Sequence, residues 1–430
     1  MAENRRQLFE LYRDDPEAAD HRIFGRISHP DRRGFLRGAG LSALGVAIGA
    51  AIPFHRTMPS GFIPLALAES TDEIAGKDGL IVLNDRPINA ETPAHLLDDA
   101  ITPTNRHFIR NNGVPPETMS ATEWSLTIDG LVDTPMTLSI ADLKSNFETV
   151  ERALIIECGG NGRAFFDPPA KGNQWTLGAV ACSKWTGVRL VDLLEAAGVK
   201  DGAIYTAHYG ADGHLSGDPE KLPISRGVPI DKAMDPNILV AFEQNGAPLH
   251  PMNGAPLRLV VPGWPGSCSQ KWLTRIALRD VVHDGPKMTG TSYRVPNRPV
   301  APGEKVDKKD FVIIHAMPVK SLITHPRSGV QVGGEALEAR GHAWAGDRAI
   351  KSVAISIDFG ATWAEATLDH PINPGAWQNW RTAISFPGPG YYEVWARATD
   401  DHGVSQPHGI AWNPKGYLNN SMHRVSVTVG

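Results

Sequence analysis

Ala153-Leu154-Ile155-Ile156-Glu157-Cys158-Gly159-Gly160-Asn161-Gly162-Arg163 is the run on which the reading of this chain turns. An apolar segment with the look of a strand, Leu154-Ile155-Ile156, delivers one thiol onto a turn with almost no side chains. The two glycines after Cys158 allow backbone angles and close approaches that other residues forbid, so a large ligand can come near the sulfur. A lone cysteine before a turn is, by base rate, a small core residue. The same arrangement is how a protein offers a single sulfur to a metal, and on this run alone both readings stand.

The other two cysteines, Cys182 and Cys268, read as buried structural residues, with Cys268 near any ligand held by the neighbouring Ser269-Gln270-Lys271. None of the three forms Cys-x-x-Cys or Cys-x-x-Cys-His, which leaves no motif for structural zinc, a redox dithiol or covalently attached haem. The histidines, His55 and His95 among them, show no ligand spacing. At 430 residues the chain exceeds the usual size of one core, so more than one domain is expected.

The N-terminus carries an address. Asp31-Arg32-Arg33-Gly34-Phe35-Leu36-Arg37 precedes an uncharged run from Gly38 to Phe54 and then Ala66-Leu67-Ala68, which together read as a twin-arginine export signal over residues 1–68. The apolar run falls short of the about 20 residues that span a bilayer, so no membrane span is expected. Such export carries folded proteins, which suggests a cofactor inserted before export and a periplasmic destination. Residues 1–68 hold nine arginines and seven acids, and without them the formal charge moves from −5 to −7. A mildly acidic surface argues against nucleic acid as a partner.

From Ser125 to Val282 short strands mix with helices, as in the strand from Leu126, a helix after Ser139 and a helix Val188–Ala197 stopped by Gly198. Thr92-Pro93-Ala94 reads as a capped helix start. Strict β-α-β alternation is missing, which favours α+β. Val295–Lys305 is a Pro-rich connector, and beyond it alternating segments at Val353–Ile357, Tyr391–Ala396 and Val425–Val429 predict an immunoglobulin-like sandwich. The predicted fold class is therefore α+β, with a mixed α/β catalytic domain over 69–298 and a β-sandwich over 299–430.

Cationic and polar residues gather in patterned places: Phe108-Ile109-Arg110-Asn111-Asn112, Asn161-Gly162-Arg163, Gln174-Trp175-Thr176, Asn253 to Arg258, Ser267 to Trp272, and Tyr293. In this order, and with the helix from Val188 and Lys271-Trp272-Leu273 at matching distances, the chain from about residue 90 onward resembles the sulfite oxidase family of molybdenum enzymes. The family's Cys-Ala-Gly-Asn-Arg-Arg stands here as Cys158 to Arg163. The resemblance implies a molybdenum-molybdopterin cofactor, an immunoglobulin-like domain that mediates homodimerisation, and Cys158 as the metal thiolate. It implies Arg110 and Tyr293 as active-site residues, and Arg163 and Trp175 as lining the substrate anion pocket. It further implies that Phe108, Ile109, Arg110, Asn111, Asn112, Asp212, Asn253, Arg258, Ser269, Gln270 and Lys271 contact the cofactor, arginine being the strongest donor to a phosphate. The implied chemistry is oxygen-atom transfer to sulfur, in which the protein positions an anion and stabilises its charge.

Four positions depart from the family pattern. Gly162 and Lys415 stand where arginines are expected, Asn112 and Asn253 where histidines are. With the twin-arginine leader and no haem motif, this variant most resembles the molybdenum subunit of sulfane dehydrogenase in the Sox thiosulfate-oxidising system. That implies a sulfane sulfur on a carrier protein as substrate and a c-type cytochrome subunit as electron acceptor. Sulfite:cytochrome c dehydrogenase, methionine-sulfoxide reduction and a non-catalytic cytochrome-binding subunit stay open on the sequence.

Overall fold

The computed structural model describes residues 74–430, which belong to one compact unit. The export signal assigned to 1–68 lies outside the described residues. Among those described, no helix is long and apolar enough to cross a membrane.

The run around Cys158 ends a nine-residue strand, Thr149–Glu157. It pairs antiparallel with Val180–Arg189, which pairs with Leu239–Gln244, and that strand also holds Arg258–Val260. A second sheet has the order Met136–Ser139, Ser125–Gly130, Leu273–Arg279, Tyr205–Gly210, with one parallel pair in its middle. Two helices pack into the main apolar core of this domain. Ile140–Asn146 starts at a reciprocal Ser139/Asp142 cap and buries Ile140 and Leu143, while Leu190–Ala197 ends at Gly198 in a left-handed conformation. The predicted start at Val188 is corrected to Leu190, because Val188 and Arg189 are held in the strand by pairing to Val240 and Leu239. The predicted helix after Thr92 is only a single turn, Ala94–Leu96. Thr92 does not cap it, since its hydroxyl donates to the Arg106 carbonyl 2.5 Å away. The mixed content is α+β, as predicted.

The C-terminal domain is a sandwich of two sheets. One has the order Lys320–His325, Ala336–Trp344, Gln378–Ser385, Thr367–Leu368, and the other Val330–Val332, His423–Val429, Gly390–Asp400, Ile350–Ser356, Ala364–Glu365. Alternate residues of both, such as Val353, Trp380, Val394 and Val427, fill the space between them. The Pro-rich connector is more than a linker: Arg294–Pro296 pairs antiparallel with Phe311–Ile313, so the chain folds back on itself between the domains.

Alternation along Thr149–Glu157 decides how the domains meet. Leu154 and Ile156 face the cluster that holds Cys158, while Ala153 and Ile155 face Leu322, Trp344 and Trp377 of the sandwich. The free edge of this strand is covered by a sandwich loop: Ile155 N donates to Gly375 O at 3.0 Å, and the Asn373 amide exchanges two 2.9 Å bonds with Ala153. Glu157 points the same way. Its carboxylate, 2 % exposed, accepts from Lys320 Nζ at 2.5 Å, Trp344 Nε1 at 2.8 Å and Asn161 Nδ2 at 3.0 Å. A broad cleft opens between the domains on this side of the strand.

Removing one partner of a buried pair leaves the other charge uncompensated, which costs roughly 3–5 kcal/mol. Lys320→Met is expected to lower the urea midpoint accordingly, with Glu157→Gln/Lys320→Met recovering part of the loss. Equal midpoints for wild type and Lys320→Met would show that the pair contributes nothing.

Candidate active site

A cleft opens on the other face of the same strand. Cys158 lies at its wall, 7 % exposed, with its backbone N–H bonded to Ala179 O and its carbonyl accepting from Asn161 N. Asn161 is itself fixed, donating to Glu157 and accepting from Ala179 N at 3.1 Å. The turn is thus anchored at the carboxylate that ties the two domains.

At the Cys158 end stand Arg110, Asn112 and Tyr293. Asn112 Oδ1 accepts from Arg110 Nη2 at 2.9 Å and from the Tyr293 hydroxyl at 3.4 Å, so the asparagine joins the two residues predicted to act on substrate. Burial works against the Arg110 charge, but nearby Tyr293 and Cys158 more than offset it and hold the guanidinium above its ordinary range. Tyr293 stacks on Tyr417 at 5.6 Å and lies under the Arg226 guanidinium at 4.8 Å. Tyr293 and Trp272 both line the cleft with positive φ, 50° and 49°, and such strained backbone persists at sites the surroundings over-determine.

The other end is cationic. Arg258 donates to Asn253 O at 2.7 Å and Ser269 O at 3.2 Å, and Lys271 Nζ donates to Met252 O at 2.8 Å and to Asn111 Oδ1. Burial brings Arg258 down to about 9, and burial with Arg258 beside it pulls Lys271 well below the lysine range. Among the described residues Asp212 is the one acid that lines the cleft. Burial pushes it up to about 6, against the attraction of Lys271. Neither Arg110, Arg258 nor Lys271 has a carboxylate partner among the described residues. Arg258 Nε, Gln270 Oε1, Asp212 Oδ1 and Ser267 Oγ are buried without any hydrogen-bond partner. Buried cations and polar atoms are ordinarily satisfied, so this end of the cleft is built for a polar anion. An organic phosphate with a hydrogen-bonding ring system fits that donor set, and a metal at the other end finds one protein donor, Cys158. Among the described residues no three His, Cys, Asp or Glu side chains gather as a ligand set of their own.

Of the residues assigned to the site from sequence, the structure brings Phe108, Arg110, Asn112, Cys158, Asp212, Asn253, Arg258, Ser269, Gln270, Lys271 and Tyr293 to one cleft. Ile109 and Asn111 lie behind it, Asn111 holding Lys271. Arg163 and Trp175, expected to line the anion pocket, do not line it. Arg163 turns away to donate to Lys415 O and Asn173 O and to lie 5.0 Å from the Tyr417 ring centre, enclosed by Gly160, Gly172 and Gly416. Trp175 is fully buried, edge-on to Phe108. Lys415 does not line the cleft either. Gly162 has φ 88°, and any side chain there would meet Asn419 of the sandwich, whose amide donates to Gly162 O. That explains why an arginine is absent. Ser267, His107 and Trp272 also line the cleft without having been assigned. Ser267 and Trp272 flank the assigned Ser269-Gln270-Lys271, a signal in plain view. Arg226 and Tyr417 had none, being brought to Tyr293 only by folding.

The molybdopterin-binding oxidoreductase domain model matches residues 111–287 and the Mo-co oxidoreductase dimerisation domain model residues 311–430. The chain is 32% identical to the sulfite oxidase of Gallus gallus over 374 residues, covering 84% of this chain and 81% of that protein. It belongs to the sulfite oxidase family. Human mitochondrial sulfite oxidase is 33% identical over 375 residues, 83% of this chain and 67% of that protein. Among solved structures, the sulfane dehydrogenase SoxCD from Paracoccus pantotrophus is similar at 30% identity with a TM-score of 0.66, covering 78% of this chain and 83% of that one. A molybdopterin cofactor and a dimerisation domain thus come with the family.

Two outcomes follow from the geometry. Cys158→Ser is expected to keep the far-UV spectrum and melting profile of the cofactor-free protein while losing most bound molybdenum by metal analysis. For Asp212, the folded carboxyl binds its proton more tightly than the unfolded one between pH about 4 and 6, so ionising it there costs stability. The stability of cofactor-free wild type relative to Asp212→Asn should therefore fall as pH rises from 4 to 6, by at most about 3 kcal/mol, and level off above 6. A difference independent of pH would place Asp212 in solvent.

Proposed function

We propose that this chain is the molybdenum subunit of a sulfane dehydrogenase, oxidising sulfur borne on a cysteine of a carrier protein and passing electrons to a c-type cytochrome subunit. We assign it to the periplasm by its twin-arginine leader. Likeness to the SoxCD structure supports this reading. The observation that carries it is the charge at the Cys158 end of the cleft. Among the described residues Arg110 is the one cationic side chain lining that end: Arg163 is turned onto Tyr417, Gly162 has none, Lys415 lies outside, and Arg226 sits over the Tyr293 ring without lining the cleft. A cation about 4 Å from a substrate charge contributes roughly 4 kcal/mol at an effective dielectric near 20, so a free dianion wants several. One guanidinium suits a singly charged sulfur held in place by its own protein.

The cofactor, when bound, supplies the oxygen-atom transfer and takes up the electrons. The chain supplies the rest. Cys158 offers its thiolate. Arg110 presents N–H donors to the anionic sulfur group, its guanidinium held by the bond from Nη2 to Asn112 Oδ1. The Tyr293 hydroxyl, poised on Asn112, can hold a proton beside the reacting sulfur, and the Tyr417 stack fixes its ring. Phe108, packed in the same apolar cluster as Cys158, gives the wall an apolar part that keeps water from competing for those donors.

Steady-state assays of the loaded enzyme with its cytochrome decide between substrates. Turnover of a peptide cysteine persulfide is expected to exceed that of sulfite by at least about 100-fold in kcat/KM, a difference of about 3 kcal/mol. Equal or faster turnover of sulfite would make the protein a sulfite:cytochrome c dehydrogenase. Arg110→Gln should lower kcat/KM on the better substrate by about 100-fold, the scale seen for removing one donor to developing charge.

A further inference from the structure

The cationic end of the cleft has a contributor from a distant part of the chain. Lys77 lies in the segment that leads into the first strand, Ile81–Asp85, and its ammonium reaches Asn253, which lines the cleft. Its three N–H groups are all spoken for: Asn253 Oδ1 at 2.5 Å, Thr104 O at 2.7 Å and His107 O at 3.0 Å. Three cations therefore converge on one short turn, Lys77 on the Asn253 side chain, Arg258 on the Asn253 carbonyl and Lys271 on the Met252 carbonyl. Lys77 is also free of any carboxylate among the described residues. Asn253 stands where the family resemblance predicts a histidine, so this position has lost a group able to carry charge. The segment around Lys77 is pinned as well, with Ala75 O accepting from His250 Nε2 at 2.9 Å and Asp78 N donating to Asn105 O.

We infer that Lys77 is a positioning residue for the phosphate end of the cofactor. It acts through Asn253, holding the 252–253 turn in place and restoring from behind the positive charge that an asparagine cannot carry. The ammonium is saturated with protein acceptors, so it makes no direct bond to the ligand. Its contribution is its field in a poorly solvated site, and the fixed placement of the carbonyls that aim Arg258 and Lys271. Burial, together with the nearby Arg258 charge, draws Lys77 down to about 7. The same contacts clasp the segment before the first strand onto the rim of the cleft.

The inference rests on this chain binding molybdopterin. Pterin and molybdenum content of purified holoenzyme, and the rate at which pterin is lost on dilution, are the readouts for Lys77→Met, Lys77→Gln and Lys77→Arg. A charge-assisted contact of this kind corresponds to a roughly tenfold change or more in an equilibrium. Lys77→Met and Lys77→Gln are therefore expected to lose pterin about tenfold faster than wild type, and Lys77→Arg to stay within about threefold. Melting of the cofactor-free forms keeps fold and binding apart: the neutral variants lose three hydrogen bonds and, with them, a buried charge that has no carboxylate partner, two opposing effects expected to leave the melting temperature close to that of wild type. Unchanged pterin loss in Lys77→Met would overturn the inference, as would loss matched by a lower melting temperature of the cofactor-free form. Retention in Lys77→Gln would show that the hydrogen bonds rather than the charge matter, which also overturns it. A wild type that holds no pterin would instead sink the cofactor assignment itself.

Discussion

Glu157 and Lys320 place two opposite charges 2.5 Å apart where almost no water reaches them, and much of the molecule is arranged around that fact. Neither could be buried alone. Glu157 belongs to the strand that ends at Cys158, and Lys320 opens the first strand of the sandwich sheet that packs on it. The ion pair, with Trp344 and Asn161 as further donors, therefore fixes the second domain and the thiol turn by a single carboxylate. The asparagine then holds Ala179 and thereby the strand beside it. A buried pair of this kind adds little net stability over an apolar contact, but it punishes every arrangement in which the two domains fail to meet.

On the opposite face of that strand the charges are deliberately unbalanced. Arg258, Lys271 and Lys77 crowd one turn, with Asp212 the sole acid at the wall among the described residues, and several buried donors and acceptors have nothing to bond. A protein stable only by its own contacts would avoid this. The arrangement makes physical sense as half of a complex whose other half is an anion, so binding the cofactor completes the core as well as equipping the enzyme. At the Cys158 end the charge is sparse, and the sandwich domain is the cause. Asn419 fills the space beside Gly162, and Tyr417 draws off Arg163. The second domain thus sets the charge at the Cys158 end as well as the assembly.

The sequence alone determined which residues gather at the centre. A cysteine between an apolar strand and a glycine turn, followed at fixed spacings by arginine, serine, glutamine and lysine, can be read without coordinates because those residues act in short local runs. Strand alternation and the Ser139 cap are legible for the same reason, since period and capping are properties of neighbours. The boundary at Val188 was misplaced because cross-strand pairing to Val240, a long-range contact, outweighed a local helical pattern.

What only the tertiary structure decided is where each charge points. Arg163 and Trp175 sit in the right motifs but face away from the cleft, because three glycines and Tyr417 give the guanidinium a better seat and Phe108 gives the indole one. Lys77 enters the site from 176 residues away in sequence, as Tyr417 does from 124 residues beyond Tyr293. A sequence records which ionisable groups exist. Their direction is settled by which buried partners remain for them once the strands have paired, and that is a property of the whole fold.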